Sequence, residues 1–90
     1  MPQVHLLISG RVQGVFFRMH THKKALELKL TGWVRNIDDG RVESFAEGPQ
    51  EKLEVFVEWC HRGPPAAKVD QVEAEWQEGE YQYKDFRITG

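Results

Sequence analysis

The chain is poor in the residues from which disulfide scaffolds, membrane spans and metal centres are built. Cys60 is the single cysteine among 90 residues, so no intrachain disulfide can form, and a reducing, cytoplasmic setting is expected. No apolar run approaches the roughly 18 residues needed to cross a bilayer. Met1-Pro-Gln-Val-His5 lacks the basic and apolar regions of a secretory leader, so no membrane contact is expected. Charge of one sign is also missing. Twelve Lys and Arg against 14 Asp and Glu leave a formal net charge of −2, which supplies no field for nucleic acid. No repeat, linker or low-complexity tract divides residues 1–90, so one domain with a single core, in monomeric form, is expected.

What is present suits a small globular fold: 40% hydrophobic and 11% aromatic residues are enough to build a core. Val4 to Ser9 alternates Val4, Leu6 and Ile8 with His5, Leu7 and Ser9, a strand with one face inward. Phe17, Thr21, Ala25 and Leu28 then recur every three or four positions, as an amphipathic helix requires. Thr31 to Ile37 and Arg41 to Glu47 are rich in β-formers and flank Asp38-Asp39-Gly40, which predicts a hairpin.

Gly48-Pro49 opens a second helix with Leu53, Phe56, Val57 and Cys60 on one face, and Gly63-Pro64-Pro65 stops it. Lys68 to Trp76 predicts a half-buried strand with Val72, Ala74 and Trp76 inward, and Asp85 to Thr89 a last short one. The order β-α-β-β-α-β, with a possible extra terminal strand, predicts an α+β fold. Its form is a ferredoxin-like α/β sandwich, an antiparallel sheet with two helices on one face. The open face should then carry Leu7, Trp33 and Phe45 beside His5, Arg35 and Glu43.

Gly10-Arg-Val-Gln-Gly-Val-Phe-Phe-Arg18 joins the first strand to the first helix. Gly10 and Gly14 allow positive dihedrals that let successive N–H groups converge, and the helix start adds the positive end of its dipole, so the loop predicts an anion cradle. Arg18 falls near that helix start, where a cation is normally unfavourable. A bound anion would explain it. Asn36 shares a strand face with Val34, near the end of a strand expected beside the first one. Two readings stand: its amide reaches the mouth of the loop, or it prepares the following turn.

Other chemistry finds no support. A nucleotide-binding P-loop needs G-x-x-x-x-G-K-[ST], and this loop lacks the Lys and the hydroxyl. Cys60 lies on a core face, remote from the loop, so no thiolate nucleophile is available there. His20 and His22 point roughly 200° apart on a helix, and His5 and His61 have no ligand-spaced neighbours, so no metal site is expected. The acidic residues read as solvated faces. RNA recognition on the sheet is disfavoured, because the third strand offers only Phe45 amid two glutamates.

An anion site with one arginine and one amide cannot easily expel an alkoxide. An acyl phosphate differs, because its leaving carboxylate has a conjugate-acid pKa of about 4 to 5 and departs unprotonated. Positioning and charge stabilisation would then suffice.

In order and spacing, Gly10 to Arg18, Gly32-Trp-Val-Arg-Asn36, Asp39-Gly-Arg-Val-Glu43 and Ala46-Glu-Gly-Pro49 resemble the acylphosphatases, with similarity from Val4 to Ile88. The resemblance implies hydrolysis of a small-molecule acyl phosphate, such as acetyl phosphate or a 1,3-bisphosphoglycerate-like compound, without metal, cofactor or covalent intermediate. It also implies roles. Arg18 clamps the phosphoryl group with the backbone amides of Gly14, Val15, Phe16 and Phe17. Asn36 orients the attacking water, and the substrate's own phosphate oxygen is the base. Two positions depart from the family's usual pattern: Phe16, where many relatives carry a smaller residue, and Lys29, where Gly often ends the helix. The alternative is a non-catalytic, acylphosphatase-like anion-binding or regulatory module.

Overall fold

The computed structural model describes Met1–Gly90 as seven elements: β1 (Pro2–Arg11), α1 (Phe17–Glu27), β2 (Thr31–Asn36), β3 (Val42–Glu47), α2 (Gln50–Arg62), β4 (Lys68–Glu78) and β5 (Phe86–Ile88). All the elements read from hydropathy periods are present, within a few residues at their ends. The five strands form one sheet in the order β4-β1-β3-β2-β5.

Two features of that order correct the sequence reading. The sheet is mixed rather than antiparallel, because β5 runs parallel to β2, with Gly32 opposite Phe86 and Val34 opposite Ile88. And β2 does not neighbour β1: β3 lies between, with Ile8 opposite Val42 and Val42 opposite Asn36.

The parallel strand follows from how the chain crosses the sheet end. Glu47 is 1% exposed, against the expectation of a solvated acid. Its carboxylate accepts from Gln3 Nε2 at 2.7 Å, Thr31 Oγ1 at 3.2 Å and the amides of Gln82 and Tyr83 at 2.9 and 3.0 Å. These bonds fasten the segment after β4 across the starts of β1 and β2. It can then only run back alongside β2, where Gly32 N–H donates to the Asp85 carbonyl.

The core lies between the sheet and the helices. Val4, Leu6 and Ile8 of β1 pack with Phe17 and Ala25 of α1 and Leu53, Phe56 and Cys60 of α2 in one buried cluster. A buried Leu, Ile or Phe contributes about 1.5–3 kcal/mol relative to exposure, so these residues dominate the stability. Burial also pushes the Cys60 thiol far above its ordinary range, leaving it neutral and inert. Val69 and Val72 of β4 pack against the cluster. The expected inward face ends there: Ala74 is exposed and Trp76 is 43% exposed, so β4 outruns its helical cover.

On the open face, Trp33 and Phe45 stack with ring centroids 6.4 Å apart, and Trp33 Nε1 donates to the Tyr83 hydroxyl at 3.0 Å. Glu43 accepts from Arg35 Nε at 2.7 Å and from His5 Nε2 at 2.6 Å beside them. The parity read from the sequence holds here.

Lys29 closes α1 in the left-handed region, φ 58°. Leu30 N–H donates to the Ala25 carbonyl and Lys29 N–H to the Leu26 carbonyl, the paired bonds of a Schellman ending. The cap therefore forms at Lys29, with the strain a β-carbon imposes.

Candidate active site

β1 ends at Arg11 and α1 begins at Phe17, so the glycine loop spans the gap between an interior strand and a helix start. Its two glycines have different tasks. Gly10 still belongs to β1, at an irregularity in the pairing with β4, and a β-carbon there would lie 2.1 Å from the Lys68 carbonyl oxygen. Close strand approach, rather than the cradle, requires it. Gly14 has φ 76° with open space around it, so its need is conformational alone.

Phe16 follows in the left-handed region, φ 61°, and caps α1 without a side-chain bond. Its carbonyl accepts from the His20 amide at 3.1 Å and from His20 Nδ1 at 2.9 Å. The turn leaves a row of donors: the backbone amides from Gly14 to Met19 have no acceptor in the protein. Such a row at a helix start is a ready anion site.

Arg18 stands in the first turn of α1, which holds no acidic residue. It forms no ion pair or hydrogen bond, although seven salt bridges occur elsewhere. An unpaired guanidinium against a helix's positive end is the placement an anion would relieve.

Gly14, Phe16, Phe17, Arg18 and Asn36 line one cavity of about 360 Å³, together with Val12, Met19 and Ile88. Val15 is not among them; its side chain packs against the core, and only its amide belongs to the row of free donors. Asn36 joins this cavity from β2, two strands away from β1. Its Oδ1 is buried and without a partner. The following turn closes without this side chain. Ile37 N–H donates to the Arg41 carbonyl, Gly40 N–H to that of Ile37, and Arg41 N–H to Asp39 Oδ1. The same bond to the Arg41 amide comes first in holding the Asp39 carboxyl below its usual range.

Sequence reasoning missed four contributors. Val12, Met19 and Ile88 complete the walls, and Phe16, Met19 and Ile88, each about half exposed or more, give the mouth an apolar collar. Ile88 arrives only through the parallel pairing of β5, which no local pattern announces. Gln13 is the fourth: its Nε2 donates to the carbonyls of Ile37 and Arg41 at 2.7 and 2.9 Å. His22, read as an exposed helix residue, is half-buried and bonds the Phe86 carbonyl, tying α1 to β5. No three His, Cys, Asp or Glu side chains come together in a metal-ligand cluster, and no helix is long and apolar enough to cross a membrane.

Known proteins are similar to this chain over most of its length. A family model described as Acylphosphatase matches residues 4–88. An acylphosphatase of Marinobacter nauticus is 54% identical over 85 residues, covering 94% of this chain and 92% of the relative. One of Pelotomaculum thermopropionicum is 48% identical over 87 residues, covering 97% and 95%. The crystal structure of acylphosphatase from Bacillus subtilis superposes with a TM-score of 0.96 at 41% identity, covering all of both chains.

Proposed function

The chain belongs to the acylphosphatase family and hydrolyses acyl phosphates to a carboxylate and inorganic phosphate, and on that premise we propose that the cavity at the start of α1 is where it does so. The phosphoryl oxygens accept from the amides of Gly14, Val15, Phe16 and Phe17 and from the Arg18 guanidinium. The acyl portion lies against the collar of Phe16, Met19 and Ile88.

Asn36 Oδ1 accepts a hydrogen bond from water and aims its oxygen at phosphorus. As the water–phosphorus bond forms, the bond from phosphorus to the acyl oxygen breaks and the carboxylate leaves unprotonated, its conjugate acid having a pKa of about 4. The water's proton passes to a phosphate oxygen. No side chain need ionise, which suits a site whose only charged lining residue is Arg18. Charge stabilisation by fixed donors carries the rate.

One observation supports this reading above the others: Asn36, whose buried carboxamide oxygen has no partner in the protein, lines the same cavity as an unpaired arginine. Leaving such an oxygen unmet costs about 1–3 kcal/mol, which a bound water recovers. The test is steady-state hydrolysis of benzoyl phosphate by wild type and Asn36→Ala. Turnover should fall about a hundredfold while competitive inhibition by inorganic phosphate persists; equal turnover would remove Asn36 from the mechanism.

The binding-only reading is set aside, since relatives at about half identity carry the enzyme's name. A monomer in the cytoplasm completes the proposal. The ion pairs and stacked rings on the open face satisfy one another within the chain, and Cys60 is a free thiol.

A further inference from the structure

Phosphate and water are held by separate parts of this fold. The amides and Arg18 belong to the β1–α1 connection, Asn36 to the end of β2, and β3 intervenes between β1 and β2 in the sheet. The strand ladders therefore do not join the two halves of the site directly. In-line attack tolerates little error between them, because a displacement on the order of 1 Å can cost about a hundredfold in rate.

Gln13 spans that gap. Its side chain, half-buried in the loop, donates from one nitrogen to two main-chain carbonyls, 2.7 Å to Ile37 and 2.9 Å to Arg41. Both hydrogens of the amide are thereby used. Ile37 follows Asn36 in the chain, and the Arg41 carbonyl also accepts from the Ile37 amide at 2.9 Å, so the two acceptors are already locked together. The Gln13 bonds are the only hydrogen bonds between residues 12–16 and residues 36–41. Because the acceptors are backbone, the tie sets the position of the chain that carries Asn36 rather than one side-chain rotamer.

We propose that Gln13 is a positioning residue for the hydrolysis, fixing the water-bearing carboxamide of Asn36 against the phosphate-bearing loop; this rests on the roles given above to Arg18 and Asn36. Losing the tie should leave the amides and Arg18 able to hold phosphate, and spoil only the alignment of water with phosphorus.

The experiment is a double-mutant cycle on benzoyl phosphate hydrolysis, with inhibition by inorganic phosphate measured beside it. Gln13→Met keeps length and apolar stem without donating, and Gln13→Ala removes the side chain; thermal melts identify which variants fold. Gln13→Met is expected to lower kcat about tenfold, with the phosphate inhibition constant changed less than about threefold. In the Asn36→Ala background the same change should cost less than about twofold, because there is no longer a carboxamide to align. An unchanged kcat, an equal loss in both backgrounds, or loss of phosphate inhibition in step with kcat would overturn the proposal, as would failure of both variants to fold. Full activity of Asn36→Ala alone would instead overturn the role of Asn36 itself.

Discussion

Arg18 and Asn36 face one cavity from different layers of the fold, a helix start and a strand end, and neither side chain makes a hydrogen bond or ion pair within the protein. A folded chain leaves a buried acceptor and a guanidinium unused at some expense. Here both residues line the cavity at the start of α1, beside the free amides from Gly14 to Met19, so unspent hydrogen-bonding capacity is concentrated where the proposal puts the anion and its water.

Arg18 should be needed for binding and for turnover. Its guanidinium is the only full positive charge in the cavity lining, and charge-assisted bonds to phosphate are about twice as strong as neutral ones. Arg18→Ala should abolish measurable inhibition by inorganic phosphate and lower kcat/KM by about a thousandfold. Arg18→Lys should recover little, since an ammonium cannot reproduce the planar fork. Phosphate inhibition undiminished in Arg18→Ala would refute the clamp.

Turnover should not depend on a divalent ion. The polar groups in the cavity are amides, a guanidinium and a carboxamide, and no carboxylate, imidazole or thiolate lines it to hold a divalent ion. Hydrolysis of benzoyl phosphate after exhaustive treatment with EDTA should match the untreated rate within error. A loss restored by added magnesium would contradict the reading.

Lys29 is a site of removable strain. Its αL conformation is retained for the Schellman bonds while the side chain lies exposed, so Gly in its place removes about 1 kcal/mol of backbone strain and loses no packing. Lys29→Gly should raise the melting temperature by roughly 4–8 °C for a chain of this size. Lys29→Ala should not, because any β-carbon meets the same clash.

The elements were legible in the sequence because each has a period: Val4, Leu6 and Ile8 at two, Leu53, Phe56 and Cys60 at three or four. So was the face of Asn36, which follows from parity with Val34. The neighbours of each strand were not legible. Nothing in Phe86-Arg-Ile88 announces a parallel edge, and nothing in Glu47 distinguishes it from a solvated acid until the Gln82 and Tyr83 amides arrive from 35 and 36 residues away. Gln13 escaped notice for the same reason: its acceptors are main-chain carbonyls, which any residue provides. The Gly10 to Arg18 loop was legible only in part: Gly14 acts locally through its positive φ, whereas Gly10 answers to the Lys68 carbonyl of β4, which no local pattern announces. The proposed water site joins distant segments, and only the resemblance to a family raised Asn36 above a turn residue.

Glu43 gives the fold a defined acid sensitivity. Burial pushes its carboxyl pKa up, but the hydrogen bonds from His5 and Arg35, with the Arg35 charge, outweigh that and hold it below the ordinary value of 4.5. A carboxyl whose pKa is lowered by folding adds stability that is complete above its unfolded value and is lost as pH falls through the folded one. Wild type should therefore exceed Glu43→Gln in stability at pH 7, by roughly 1 kcal/mol or less given that Arg35 is about half exposed. The difference should shrink steadily below pH 4.5. Urea midpoints of both proteins at pH 7, 5 and 3 measure it, and a gap that widens on acidification would mean that the bonds to His5 and Arg35 do not govern the carboxyl.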